Sequence, residues 1–236
     1  MEPFRLLTYN VRCFPWAVPH IKGIVDWLVQ KADIVVLQEA WCQHTAWSTL
    51  FAAHGWTFLR PARENHLLSV FGSGLAVAWR SSDWHLADAR FYPFLNSSGI
   101  DRLVVKGWFH VELLQRSTDR KLRVLNTHMQ ADYDIVGPQL RDTTEQIRME
   151  QARQLVEVER PQPPMSTIIV GDMNTDECWF PYCKKWRIKG ITHPETNEAI
   201  DHCTTWRGTK CWIREHTIWP LMWSDHHAVS WNLVFS

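Results

Sequence analysis

Four apolar runs in this 236-residue chain end in an acid, an amide or an imidazole. Leu6 to Tyr9 leads into Asn10, Ile34 to Gln38 into Glu39, Leu122 to Leu125 into Asn126-Thr127-His128, and Ile168 to Gly171 into Asp172-Met173-Asn174. A fifth group, Ser224-Asp225-His226-His227, comes before an apolar run instead of after one. Taken singly, an Asn at a strand end is a turn former, and an acid or histidine there is a solvated or capping group. Their coincidence is what points to chemistry. Carboxylates and amides offer hard oxygen donors that suit a divalent cation such as Mg²⁺, while imidazoles suit proton transfer near neutral pH. A cation beside proton carriers is the equipment for hydrolysing a phosphate ester.

Such a set works only if the backbone brings its members together. Phe4 to Asn10 reads as a strand, His20 to Lys31 as an amphipathic helix with Ile21, Ile24, Val25, Leu28 and Val29 on one face, and Asp33 to Glu39 as a strand buried on both sides. A second helix carries Trp47, Leu50 and Phe51 and stops at Gly55. Leu75 to Trp79, Leu103 to Leu113, Leu122 to Thr127, Thr167 to Val170 and Ala228 to Phe235 read as strands. Thr143-Thr144-Glu145-Gln146 fits a capping box opening a helix to about Glu157, ended by Arg160-Pro161-Gln162-Pro163-Pro164. The alternation predicts α/β layers, with residues 1–236 as a single domain. In open sheets, ligands sit beyond the carboxyl ends of strands. An antiparallel last strand would start at that same edge and bring Asp225 and His226 to it.

Lys plus Arg and Asp plus Glu are 25 each, so no bulk field recommends a polyanion as partner. The longest uncharged stretch, Asn65 to Trp79, is too short and polar to span a bilayer. The start Met1-Glu2-Pro3-Phe4-Arg5 has no signal-peptide pattern, so a cytoplasmic, monomeric protein with its six cysteines reduced is the expectation. Fifteen Trp exceed what such a core requires, which predicts that some lie at a surface that meets something.

The segments Thr8 to Arg12, Leu37 to Trp41, Asn126 to Gln130, Gly171 to Thr175 and Ser224 to Val229 resemble, in order, the signature of the endonuclease/exonuclease/phosphatase superfamily. That resemblance implies the deoxyribonuclease I-like fold, an α+β four-layer sandwich of two packed mixed β-sheets flanked by helices. Gly99-Ile100-Asp101-Arg102, Val105-Lys106-Gly107-Trp108 and Gln130-Ala131-Asp132-Tyr133 are similar to its neutral sphingomyelinase branch. Similarity to that branch implies a Mg²⁺-dependent phosphodiesterase, with Mn²⁺ as a substitute, cleaving a phospholipid at a membrane surface by in-line attack of water. A nuclease with a nucleic acid substrate is the alternative, and an inositol-phosphate phosphatase or an inactive binding module stands behind it.

By the same resemblance Glu39 ligates the metal, with Asn10 in the metal shell or on the phosphate. Asn174 contacts the phosphate or the attacking water, His128 supports the phosphate oxygens, Lys106 binds substrate, His226, oriented by Asp225, takes the water proton or binds the phosphate, and Asp172 orients the nucleophile or serves as acid/base. One acidic position stays open between Asp201 and Glu215, with chain order slightly favouring Glu215. Cys178 and Cys183 have a spacing that zinc sites use, with His193, His202, Cys203, Cys211 and His216 downstream as partners, against the plainer reading of small apolar cysteines. Cys178 to Arg187 and Trp219 to Trp223 flank the Asp172 and Asp225 motifs, which places Trp179 and Trp223 at a pocket rim suited to lipid headgroups, to stacked bases, or to packing under loops.

Overall fold

The computed structural model describes residues 3–61, 72–132, 137–160, 165–177, 180–184, 188–220 and 223–235. Cys178, Trp179, Trp186 and Tyr133 lie outside these residues. The first sheet is built from β1 (Phe4–Cys13), β2 (Ile34–Ala40), β3 (Trp56–Leu59), β4 (Ala76–Arg80), β11 (Cys211–Trp219) and β12 (Ala228–Phe235), in the order β11-β12-β1-β2-β4-β3. A second sheet holds β5 (Trp84–Pro93), β6 (Gly107–Gln115), β7 (Lys121–His128), β8 (Ser166–Asp172), β9 (Cys183–Lys184) and β10 (Asp201–Trp206), in the order β5-β6-β7-β8-β10-β9. Each sheet has one parallel pair at its centre, β1 with β2 and β7 with β8, and antiparallel strands outside it.

Side-chain alternation sorts these strands into layers. Leu6, Ile34, Val36, Val124, Ile168 and Val170 meet between the sheets in one apolar cluster. Leu7, Tyr9, Val35 and Leu37 face the other way, onto α1 (Ile21–Lys31) and α2 (His44–Ala53). Leu125 and Ile169 pack on Ala152, Leu155 and Val156 of α3 (Gly137–Val158). The result is the expected four-layer arrangement of two mixed sheets flanked by helices. A polar seam crosses the middle layer. Thr8 donates to Gln38 at 3.1 Å, Gln38 to Asn126 at 2.7 Å, and Asn126 to the carbonyls of Leu37 and Ala76 at 2.9 Å each. Being buried and fully paired, these groups fix the register of one sheet on the other.

The helix expected to open at Thr143 instead begins at Gly137, so the supposed capping box lies inside α3. Its threonine is used elsewhere: buried Thr144 donates to the Asp132 carboxylate, which Arg148 also grips with both guanidinium nitrogens at 2.8 and 3.1 Å. The strand expected from Leu103 begins only at Gly107, because Gly99–Leu103 is a 3₁₀ turn whose Asp101 reaches Lys106. Strands β3, β5, β10 and β11 were not expected. Residues 201–206 read Asp-His-Cys-Thr-Thr-Trp and are wholly buried with no apolar run, while β5 and β11 are outer strands, mostly half-buried and of mixed polarity.

Candidate active site

Asn10, His128 and Asp172 continue the between-sheet rows of β1, β7 and β8 past the apolar core, so three polar side chains emerge at one edge of the sandwich. Glu39 breaks the pattern. Strict alternation would put it with Val35 and Leu37 on the helix side, but its φ of 56° turns the chain at that residue and brings Oε1 to 3.9 Å from His128 Nε2 on the opposite sheet. Asn174 (φ 52°) makes a similar left-handed turn after β8. Its backbone N–H donates to Asp172 Oδ1 at 2.9 Å, and its side-chain amide donates to the Met129 carbonyl at 3.0 Å.

Asp172 is the hub. Its Oδ2 accepts from the Asn10 amide at 3.0 Å and lies 3.5 Å from His128 Nε2 and 3.7 Å from His226 Nε2. Burial, reinforced by the charges of Lys106 and His226, drives the His128 pKa down to about 3, so that imidazole is neutral; its Nδ1 has no hydrogen-bond partner among the described residues. Burial also opposes the charge on His226, yet Asp201 and Asp172 outweigh it and raise that imidazole to about 10. Glu39 is pushed up to about 7, chiefly by burial.

The carboxylate that orients His226 is Asp201, with Oδ2 2.9 Å from Nδ1. Asp201 is fully buried at the start of β10, opposite Asp172 in register, where the Thr192 hydroxyl accepts from its backbone N–H and that of Ile200. Asp225, assigned that role from the sequence, stays within 4.8 Å of a His226 ring nitrogen but takes its close contacts elsewhere. It pairs with Arg12 at 2.7 Å, accepts from Ser224 at 3.1 Å and lies 3.9 Å from His193. Burial would raise its pKa, but the nearby His193 and the charges of His226 and Arg12 prevail and hold it at about 2. Glu215 is exposed on β11 and bonded to Asn232, so of the two acids left open Asp201 is the one at the site. The sequence names Arg12 only as the end of the Asn10 motif, and His193 only as a downstream zinc partner for Cys178 and Cys183; neither was expected beside Asp225.

Lys106 lies beneath the site: its ammonium is buried, 3.4 Å from Asp101 and donating to the Met129 carbonyl at 3.0 Å. Its charge reaches Glu39 and His128 from there. The segments resembling one branch interlock, since Ala131 N–H donates to Asp101 at 2.9 Å and Ser98 N–H to Gln130 at 2.8 Å. Of the aromatic rim, Trp219 and Trp223 pack half-buried against the α1 layer. A different ladder reaches the site: Trp16, 71% exposed, stacks on Phe14 at 5.0 Å, Phe14 meets Trp41 at 4.6 Å, and Trp41 lies 6.5 Å from His128.

The donor set fits a hard divalent cation. Glu39 is a half-buried carboxyl beside a neutral imidazole, His128, and the Asp172 carboxylate and the Asn10 amide that bonds it stand close by. Asp172, Asp201 and His226 also place one ligand atom each within 4.8 Å of one another. Among the described residues no such cluster includes a cysteine, and Cys183, Cys203 and Cys211 sit in apolar clusters, as the plainer reading of them expects.

Sphingomyelinase C of Listeria ivanovii is 23% identical over 218 residues, 81% of this chain and 62% of that protein, so the chain spans less than two thirds of its relative. A solved beta toxin variant from Staphylococcus aureus with bound magnesium ions superposes with a TM-score of 0.71 at 14% identity, covering 98% of this chain and 99% of that one. D. rerio TDP2 complexed with single strand DNA product gives 0.73 at 13% identity, covering 99% and 100%. These two likenesses show the fold. The family assignment rests on residues 7–226, which match the Endonuclease/Exonuclease/phosphatase family from β1 to His226; the chain belongs to that family.

Proposed function

We propose that the chain is a Mg²⁺-dependent phosphodiesterase of sphingomyelinase-like type, releasing the headgroup of a phosphocholine-bearing lipid at a membrane surface. The observation that carries the lipid reading is the ladder from exposed Trp16 through Phe14 and Trp41 to His128. It puts aromatic faces, which attract quaternary ammonium groups and favour the lipid–water boundary, beside the phosphate chemistry. The zero net charge agrees with a zwitterionic substrate better than with a polyanion.

Glu39 and Asn10 would hold the cation, with Mn²⁺ able to replace Mg²⁺. When bound, the cation supplies positive charge to the phosphoryl oxygen and helps the attacking water give up its proton. His226, locked by Asp201, presents Nε2 toward Asp172. Between them these two groups hold and move the proton of the attacking water, and the displaced oxygen leaves as an alcohol carrying a proton. Asn174 and neutral His128 orient the phosphate from the far side. No helix among the described residues is long and apolar enough to cross a membrane, so contact with lipid is made from the surface.

The test offers purified protein sphingomyelin in mixed micelles and abasic-site duplex DNA in parallel, with and without Mg²⁺, and His226→Ala as control. Phosphocholine release that requires both Mg²⁺ and His226 is the expected result. Cleavage of DNA without lipid turnover would overturn the lipid reading in favour of a nuclease using the same ladder to stack bases.

A further inference from the structure

The two strands that carry Asn10 and Glu39 are each followed, three residues on, by a cysteine: Cys13 closes β1 and Cys42 lies just beyond β2. Their Sγ atoms are 3.1 Å apart. Each thiol also reaches the other's backbone carbonyl, Cys13 Sγ to Cys42 O at 3.9 Å and Cys42 Sγ to Cys13 O at 3.4 Å. A disulfide needs its sulfurs at about 2.05 Å, a closure of roughly 1 Å from this arrangement. The backbone around the pair is already irregular: the β1–β2 register shifts between Asn10 and Cys13, and Arg12 and Gln43 have φ of 45° and 57°. That irregular chain is where a small closure is accommodated.

The cysteines differ in access. Cys13 is fully buried, and burial together with its hydrogen bond to Cys42 pushes its thiol up to about 12. Cys42 is half-buried, so it is the sulfur that meets a solvent oxidant. Cys203 and Cys211 are enclosed in the core between the sheets and Cys183 in the α3 layer, so among the described residues Cys13 is the neighbour able to resolve an oxidised Cys42.

We propose that Cys13 and Cys42 form a redox-closable dithiol, joined as a disulfide by a peroxide and reopened by a small thiol reductant. With hydrogen peroxide, Cys42 sulfur takes one oxygen to become a sulfenic acid and one water leaves. Cys13 sulfur then attacks Cys42 sulfur, the S–O bond breaks, and the hydroxyl departs with the Cys13 proton as a second water. Two thiol hydrogens are lost and one peroxide is reduced. The new bond ties the end of β1 to the chain beyond β2, at the base of the Phe14–Trp41 contact.

The intact chain is treated with peroxide, quenched with N-ethylmaleimide and digested for mass spectrometry. A cross-linked peptide pair containing Cys13 and Cys42 is expected, together with a midpoint of thermal unfolding raised by roughly 5–10 °C and restored by dithiothreitol. Cys42→Ser and Cys13→Ala each abolish the cross-link and the thermal shift, so either variant serves if the other folds poorly. Maleimide on both cysteines after oxidation, or Cys42 carried on to sulfinic acid without a cross-link, would overturn the proposal.

Discussion

A histidine 5% exposed, with its Nδ1 on one carboxylate and its Nε2 near another, has its protonation set by those neighbours more than by solvent. Asp201 is the stronger of the two, so Asp201→Asn should bring the His226 pKa from about 10 back toward its ordinary range and let the ring rotate. Turnover of a phosphodiester should then fall by roughly 10²–10⁴-fold, the span of a lost acid/base arrangement. Asp225→Asn leaves the Asp201 bond intact and breaks the Arg12 pair instead, so a loss under about tenfold is expected, a surface-type pair contributing little. Proton NMR titration of His226 in both variants, beside their rates, separates the two acids; an Asp225 effect as large as that of Asp201 would reverse the assignment. Sequence named the histidine and misnamed its partner for a physical reason. Asp225 adjoins His226 along the chain, but in the bend before β12 its carboxylate goes to Arg12 and Ser224, and the true partner arrives from a strand that gave no apolar signal.

At the scale of elements, the site depends on backbone that departs from its strand. Glu39 in the left-handed region reverses the usual ranking of small residues: Glu39→Gly should be more stable than Glu39→Ala by about 1 kcal/mol, where an ordinary strand position prefers alanine. Gly171 is stricter still. With φ 139°, a Cβ there would sit 2.0 Å from the Thr127 carbonyl of the adjacent strand. Gly171→Ala should therefore force β7 from β8, between His128 and Asp172, and cost at least about 3 kcal/mol. Urea denaturation measures both, and an alanine tolerated at 171 would mean that the close approach is not needed. The elements themselves were legible where they bury one face or two: β1, β2, α1, β8 and β12 follow from apolar spacing. Polar strands were not, because β10 is buried by what covers it, and α3 begins where no cap marks it.

Across the whole molecule, the site concentrates proton-binding groups that are held away from their ordinary pKa values, and this couples stability to pH. Glu39, raised to about 7, and His226, raised to about 10, both make the native chain hold protons that the unfolded chain has released. His128 at about 3 and Asp225 at about 2 act in the opposite sense, but only below their unfolded values near 6.5 and 3.8. Above about pH 6.5 the first pair leads, joined in the same sense above about pH 9 by the raised thiols of Cys13 and Cys211, so the stability of metal-free protein should fall as pH rises toward 10, by on the order of 2–4 kcal/mol. A divalent cation competes with the proton on Glu39, hence the stabilisation that Mg²⁺ confers should grow between about pH 6 and 8 and then level off. Denaturation curves with EDTA and with Mg²⁺ at about pH 6, 7.5 and 9 test this directly. If the metal-free protein were instead most stable at the highest pH, His226 would not be held as an imidazolium by Asp201 and Asp172. If Mg²⁺ shifted all three curves equally, its ligand would not be a carboxyl raised to neutrality, and Glu39 would lose its place as the residue that holds the cation.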